Sequence, residues 1–173
     1  PNRTTFCCNS PKEKKFVSNL GFKAILCAKR SITSSTDVFI PQDRDKIYPV
    51  IYNAAMMPWK RHMLAKKIEN IAFIHHHAGL GYHGPGGFSS NPAQLKYKRK
   101  LKAAFPKAYW LNDLDGQYRY LSPREVAKAI NQSSVGLCLS AIEGSGSANV
   151  EYLLCGIPVV STKSLGGRDI FYE

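Results

Sequence analysis

The chain has 173 residues, 44% of them hydrophobic, which is enough for one domain with a real core. It contains no apolar run of about 18 residues, so no membrane-spanning helix is expected. The net charge of +12, from 24 Lys and Arg against 12 Asp and Glu, favours anionic partners such as nucleic acid, nucleotide phosphates or acidic lipid headgroups.

The five cysteines predict reduced thiols. Cys27, Cys138 and Cys155 lie in apolar runs, adjacent Cys7 and Cys8 are poorly placed to bond each other, and no C-x-x-C pair occurs. The N-terminus lacks a signal-peptide pattern. We therefore expect a cytoplasmic protein, and its charge allows peripheral contact with an anionic membrane at the inner face.

Residues 1–46 predict part of a Rossmann-like unit followed by a linker. Thr4–Cys8 and Lys23–Ala28 are candidate strands. Between them Ser10 begins an S-x-x-E capping box with Pro at the first helical position, which predicts a helix to Leu20. Pro and charged residues then mark a boundary near Lys46.

Residues 47–173 repeat the order strand, helix, strand, which predicts an α/β domain with a doubly wound parallel sheet. The predicted strands are Tyr48–Tyr52, Ile71–Ile74, Ala108–Leu111, Val135–Ser140 and Pro158–Thr162. Helices are expected from Lys60 to Ile68, from Asn91 to Phe105, and after the capping box that begins at Ser122.

Two basic segments precede the last third of the chain. Lys60 follows a strand end, where a lysine suits a diphosphate, and the alternative is a solvated side chain among basic neighbours. The basic helix from Asn91 to Phe105 could meet nucleic acid or an anionic membrane, but a solvated outer helix is the preferred interpretation.

A glycine-rich loop carries the histidines His75, His76, His77 and His83. Adjacent strand residues alternate faces, and no Cys or acidic residue nearby completes a ligand set. We therefore predict no metal site, and we expect one histidine to lie at the strand's carboxyl end facing a cleft.

The stretch Val135–Thr162 reads as strand, glycine-rich turn, helix and strand. Gly144 and Gly146 allow close approach of a ligand, and Ser145 or Ser147 can cap the helix. The unpaired N–H groups of the first helical turn suit a phosphate.

Two carboxylates frame this helix start. Glu143 precedes it and Glu151 lies about one turn inside. Carboxylates repel phosphate, so we expect them to bind the hydroxyl groups of a sugar. The alternative interpretation is that Glu151 is an ordinary solvated helix residue and Glu143 an ordinary turn residue.

This segment resembles the donor-site motif of retaining glycosyltransferases of the GT-B fold, family 4 or glycosyl transferase group 1. The resemblance consists of Glu143-Gly-Ser-Gly-Ser-Ala-Asn-Val-Glu151 as an E-x7-E pattern, an apolar helix, Gly156-Ile-Pro-Val-Val160, and Gly166-Gly167. It implies a GT-B-type Rossmann-like fold in which residues 47–173 bind the donor but lack the last strand and helix. Residues 1–46 would be a remnant of the acceptor-side unit, so we expect a truncated chain.

The resemblance also implies roles for single residues. Glu143 would be the catalytic residue that holds the transferred sugar, Glu151 would hold the ribose, and the turn Gly144, Ser145, Gly146 and Ser147 would hold the diphosphate together with Lys60. Related enzymes carry G-R-x-x-P-x-K after the first strand. Here Pro58 and Lys60 match that pattern, Asn53 lies at its Gly end without being a Gly, Ala55 stands in place of the Arg, and Arg61 is the candidate substitute.

The implied activity is a hexosyltransferase-type transfer of a sugar from a nucleotide diphosphate-sugar, with retention, to a glycan or lipid-linked acceptor in polysaccharide biosynthesis. No cofactor or metal is implied. One alternative is a nucleotide-sugar epimerase or hydrolase, for which the histidines from His75 to His83 would be the acid/base groups. A basic nucleic-acid-binding module is a weaker alternative because no such motif is present, and no nucleic acid is expected.

Overall fold

The computed structural model describes residues 4–27, 34–75 and 92–172. Its strands are β1 (Thr5–Cys8), β2 (Lys23–Leu26), β3 (Tyr48–Asn53), β4 (Ala72–Ile74), β5 (Tyr109–Trp110), β6 (Asp113–Leu114), β7 (Gln117–Tyr118), β8 (Ser133–Cys138) and β9 (Val159–Ser161). Its α-helices are α1 (Pro11–Asn19), α2 (Pro92–Ala104), α3 (Pro123–Asn131) and α4 (Ser147–Leu154), and 3-10 helices span Pro58–Lys60, His62–Ala65 and Gly167–Tyr172. The predicted strand end Ala28 and helix start Asn91 lie outside the described residues.

The central sheet has five parallel strands in the order β5-β4-β3-β8-β9. Val50, Phe73, Leu137 and Val159 therefore lie on neighbouring strands, and the predicted α/β, Rossmann-like fold is confirmed.

Side chains alternate across this sheet and divide the core between its two faces. Ile51 packs with α3 and α4 residues in one cluster, whereas its neighbour Tyr52 packs with Leu101 of α2 in the other. In β4, Phe73 joins the face of Tyr52. Helices cover both faces, as in a doubly wound domain.

Tyr152 fixes α4 against the centre of the sheet. A Cβ at Gly136 would lie 2.4 Å from the Tyr152 ring, so the ring lies directly on β8. The Tyr152 hydroxyl accepts a 2.7 Å hydrogen bond from the Asn53 N–H at the end of β3. The helix that carries Glu151 is thus tied to two central strands.

The N-terminal strands β1 and β2 form a separate two-stranded parallel sheet joined by α1. Ser10 caps α1 as expected, since its Oγ accepts from the Glu13 N–H at 3.1 Å. The Glu13 carboxylate accepts from the Asn9 N–H at 2.6 Å rather than from the N–H of the cap residue. The division into residues 1–46 and 47–173 stays a prediction.

Two local expectations were wrong. The helix from Lys60 to Ile68 is two 3-10 turns, because Arg61 is left-handed, with φ of 51°, and interrupts the helical ladder. Neither Ser145 nor Ser147 caps α4; Gly146 is the N-cap and no side chain bonds there. After β5 the chain also forms a hairpin, β6-β7, closed by Asp115-Gly116, both at positive φ.

Candidate functional site

A cleft of about 540 Å³ opens at the carboxyl ends of β3 and β8. The chain order reverses between these two strands, and such a switch point is where open α/β sheets bind ligands. The wall is built by Asn9, residues 52–54, Lys60, Leu137, Cys138, Ser140, residues 143–149, Glu151 and Arg168. Residues of the glycine-rich turn thus meet residues at the end of β3 and Asn9, which lies between β1 and α1.

The turn and the start of α4 present backbone to this cleft. Gly146 is the N-cap at φ of 51°, a conformation that disfavours larger residues. No side chain caps the helix, so the first N–H groups of α4 lack side-chain partners among the described residues. Gly144 lies beside Asn9, whose Nδ2 would be 3.7 Å from an added Cβ.

Lys60 and Glu143 form an ion pair across the cleft. Both side chains are largely buried, with 17% and 23% of their surfaces exposed. The backbone on the Lys60 side is fixed, because its carbonyl accepts from the Tyr52 hydroxyl and the Trp59 carbonyl accepts from the Ala141 N–H at 3.0 Å. The structure therefore pairs Lys60, which the sequence analysis assigned to the diphosphate, with Glu143, which it assigned to the transferred sugar.

Glu151 and Asn53 form the second contact at the cleft. The Asn53 side-chain Nδ2 donates to Glu151 Oε2 at 3.2 Å. This contact links the end of β3 with the first turns of α4. Glu151 is therefore held in one orientation while it lines the cleft.

Arg61 is not brought to the cleft. Its Nε donates to the Leu139 carbonyl at 2.6 Å and its Nη2 to Thr162 Oγ1 at 2.5 Å. These bonds tie the 3-10 segment to the segments that follow β8 and β9. Ala55, at the position where the resembling family's pattern has Arg, is buried and does not line the cleft.

Arg168 lines the cleft and was missed by the sequence analysis. Only 1% of its surface is exposed. Its Nη1 donates to the Ser140 carbonyl at 3.3 Å, its Nη2 donates to the Thr162 carbonyl, and its Nε donates to Asp169 Oδ1 at 3.3 Å. The signal in the sequence was its position directly after Gly166-Gly167.

Asn149 is a second buried polar residue that sequence reasoning passed over. It is fully buried in the cleft wall, and its Oδ1 accepts from the Tyr172 hydroxyl. Its Nδ2 has no hydrogen-bond partner within the described part of the chain. A buried donor of this kind is uncommon and calls for an acceptor.

The described cysteines at the core are neutral thiols. Burial raises the pKa of Cys138 and of Cys155 to about 11 in each case. Cys138 and Cys155 are buried, as expected for core thiols, whereas Cys27 is half-buried, and their reduced state stays a prediction. A pKa this high leaves Cys138 protonated at neutral pH, so the cleft wall offers no thiolate nucleophile there.

His75 lies at the carboxyl end of β4, as expected, but it does not line the cleft. Its Nε2 is 3.2 Å from Asp113 Oδ1, and its ring packs on Trp110 and Tyr118. Burial raises the pKa of Asp113, but hydrogen bonds with His75 and with two lysines of α2 outweigh this and hold that pKa well below its usual range.

The other three histidines, His76, His77 and His83, lie outside the described residues. Within residues 4–27, 34–75 and 92–172, no group of three His, Cys, Asp or Glu side chains could hold a metal ion. No helix in these ranges is both long and apolar enough to cross a membrane.

No protein-family model matches the chain, and no curated protein matches it. Among solved structures, it resembles the C-terminal domain of a glycosyl transferase group 1 family protein, LpcC, from Francisella tularensis. The TM-score is 0.51 at 15% identity, and the match covers 76% of this chain and 71% of that chain. The likeness shows the fold, an α/β, Rossmann-like fold shared with that domain.

Proposed function

We propose that the chain contains the donor-binding domain of a glycosyltransferase that transfers a sugar from a nucleotide diphosphate-sugar with retention of configuration. The cleft carries this proposal, because it gathers Lys60, Asn53, Glu143, Glu151 and the start of α4 at the switch point of the sheet. The fold shared with a glycosyl transferase group 1 domain supports it.

The donor would lie with its nucleoside towards Glu151 and its diphosphate at the start of α4. The Glu151 carboxylate, oriented by Asn53 Nδ2 at 3.2 Å, would accept hydrogen bonds from ribose hydroxyls. The first N–H groups of α4 would donate to phosphate oxygens, where the positive end of the helix dipole favours negative charge.

Lys60 and Glu143 would act at the reacting end. Lys60 would bind the diphosphate and stabilise the negative charge that develops as the sugar leaves. Glu143 would accept hydrogen bonds from hydroxyls of the transferred sugar and position its anomeric carbon. The residues described at the cleft thus support catalysis by positioning and electrostatics, without a protein nucleophile.

We further propose that the chain belongs to the retaining family 4, that it transfers a hexose to a glycan or lipid-linked acceptor, and that it acts in polysaccharide biosynthesis.

The rival proposal of an epimerase or hydrolase needs acid/base groups at the sugar. His75 does not favour that rival, because its ring is held by Asp113 and lies outside the cleft wall.

Titration calorimetry of the full chain with UDP, GDP and ADP, and with the matching nucleosides, tests the proposal. At least one diphosphate should bind, and Glu151→Gln should weaken it about tenfold or more, because hydrogen bonds to a charged acceptor are lost. Glu69→Gln is the matched control, since Glu69 is exposed and pairs only with exposed Lys107 among the described residues. If no nucleotide diphosphate binds, the proposal is wrong.

A further inference from the structure

We propose that Arg168 and Asn149 bind the phosphate group nearest the transferred sugar, so that Arg168 is the second cation of the diphosphate site. This inference rests on the proposed function and assigns the phosphate contact to two residues outside the E-x7-E pair. Arg168, directly after the Gly-Gly segment, would then supply the positive charge that the resembling family's pattern carries as an Arg at the position of Ala55.

The first argument is the charge balance of the cleft. Among the described residues of its wall, the cations are Lys60 and Arg168 and the anions are Glu143 and Glu151. Because Glu143 pairs with Lys60, that lysine alone leaves no net positive charge for a diphosphate. Arg168 is the further cation in the wall, and its ion-pair partner Asp169, at 3.3 Å, lies outside the wall.

The second argument is position. The Cγ and Cδ atoms of Arg168 would lie 3.5 and 3.7 Å from a Cβ at Gly146, so its stem packs against the N-cap of α4. The Arg168 side chain therefore lies beside the positive end of the helix dipole, next to the Glu143 side chain, whose Cγ would be 3.3 Å from the same Cβ. An oxyanion at this helix start would meet both.

The third argument is the unused hydrogen-bonding capacity of these two side chains. Arg168 Nη1 carries two N–H groups, and the hydrogen bond described for it is a long one, 3.3 Å to the Ser140 carbonyl. Asn149 has its Oδ1 occupied by the Tyr172 hydroxyl, which leaves Nδ2 as a buried donor without a partner in the described residues. Phosphate oxygens are strong acceptors that would satisfy both groups.

The glycines before Arg168 explain how it reaches this place. A Cβ at Gly166 would lie 1.7 Å from the Glu143 carbonyl oxygen, and one at Gly167 would lie 1.8 Å from that of Asn9. The backbone therefore passes between two carbonyls, a path closed to larger residues. This path brings Arg168 beside the turn at Glu143.

Titration calorimetry of the full chain with UDP, GDP, ADP, their monophosphates and pyrophosphate tests the inference. For the nucleotide that binds, Arg168→Gln should weaken the diphosphate about tenfold while changing the monophosphate much less. Arg168→Lys should restore part of the loss. Arg124→Gln, at an exposed arginine of α3, is the matched control.

Each outcome has one meaning. If Arg168→Gln weakens monophosphate and diphosphate equally, or neither, Arg168 is structural and the inference is wrong, while the proposed function stands on binding by the parent. If the parent binds no nucleotide diphosphate, the proposed function is wrong and the inference that rests on it is wrong as well, whatever the result with pyrophosphate. If Arg168→Gln does not fold, Arg168→Lys and Asn149→Asp test the inference instead. Both variants should bind diphosphate over monophosphate with a smaller preference than the parent, and an unchanged preference in both would show that the inference is wrong.

Discussion

Lys60 and Glu143 lie 83 positions apart in the chain, yet their side chains form an ion pair within the cleft. The cation proposed for the diphosphate and the carboxylate proposed for the sugar thus neutralise each other. A nucleotide diphosphate must compete with Glu143 for Lys60, and a sugar must compete with Lys60 for Glu143.

Glu143→Gln should therefore tighten the binding of a nucleoside diphosphate that carries no sugar, by about threefold or more, because the competing negative charge is removed. Lys60→Met should weaken the same ligand. Calorimetry at low ionic strength measures both effects. Unchanged or weaker diphosphate binding by Glu143→Gln would show that the pair does not limit access to Lys60.

Gly166→Ala should lower the thermal stability markedly, because its Cβ would lie 1.7 Å from the Glu143 carbonyl oxygen and the backbone must move. Gly144→Ala is the matched control, since its nearest neighbour would be the Asn9 side chain at 3.7 Å. Differential scanning calorimetry compares the two variants. Equal stability of both would contradict the close packing at Gly166.

Ala55→Arg should destabilise the fold and should not supply the cation that related enzymes carry. Ala55 is 4% exposed and lies outside the cleft wall, so a buried guanidinium would replace a methyl group. The free energy of unfolding in urea should fall by several kcal/mol, about 3 or more. Ala103→Arg, on the exposed side of α2, should have little effect.

His62 should make the fold less stable in mild acid. Burial, and then the charge of Lys60, lower its pKa from 6.5 to about 3, so the folded chain keeps it neutral while the unfolded chain binds a proton below about pH 6.5. The free energy of unfolding that follows from this difference in the pKa of His62 is fully present above about pH 6.5 and is lost as the pH falls towards 3.

Urea unfolding of the parent and of His62→Phe at about pH 7.5 and pH 5 measures this contribution. The parent should lose up to about 2 kcal/mol more than the variant between these values, since each pKa unit is worth about 1.4 kcal/mol. Phe suits the site because His62 packs among the rings of Tyr52, Phe73 and Tyr97. An equal loss in both proteins would assign the acid sensitivity elsewhere.

Regular elements of this fold follow from local patterns. The buried strand β4 lies within an apolar run, β8 overlaps one from Val135 to Cys138, and the capping box at Ser122 begins α3 with both reciprocal hydrogen bonds. The site depends on contacts between distant segments. The spacing of apolar residues does not predict that a charged residue such as Arg168 is only 1% exposed. No local sequence pattern predicts that Lys60 pairs with Glu143.

The attachment of Tyr152 to Gly136 and Asn53 has a consequence for how specificity can change. Glu151 is the preceding residue, so the end of the cleft proposed for the nucleoside is built on the central strands of the sheet. The end proposed for the sugar is built on the glycine-rich turn and on the 3-10 helix that carries Arg168. If the proposed function holds, substitutions at the turn and the 3-10 helix should change the choice of sugar without changing the choice of nucleoside.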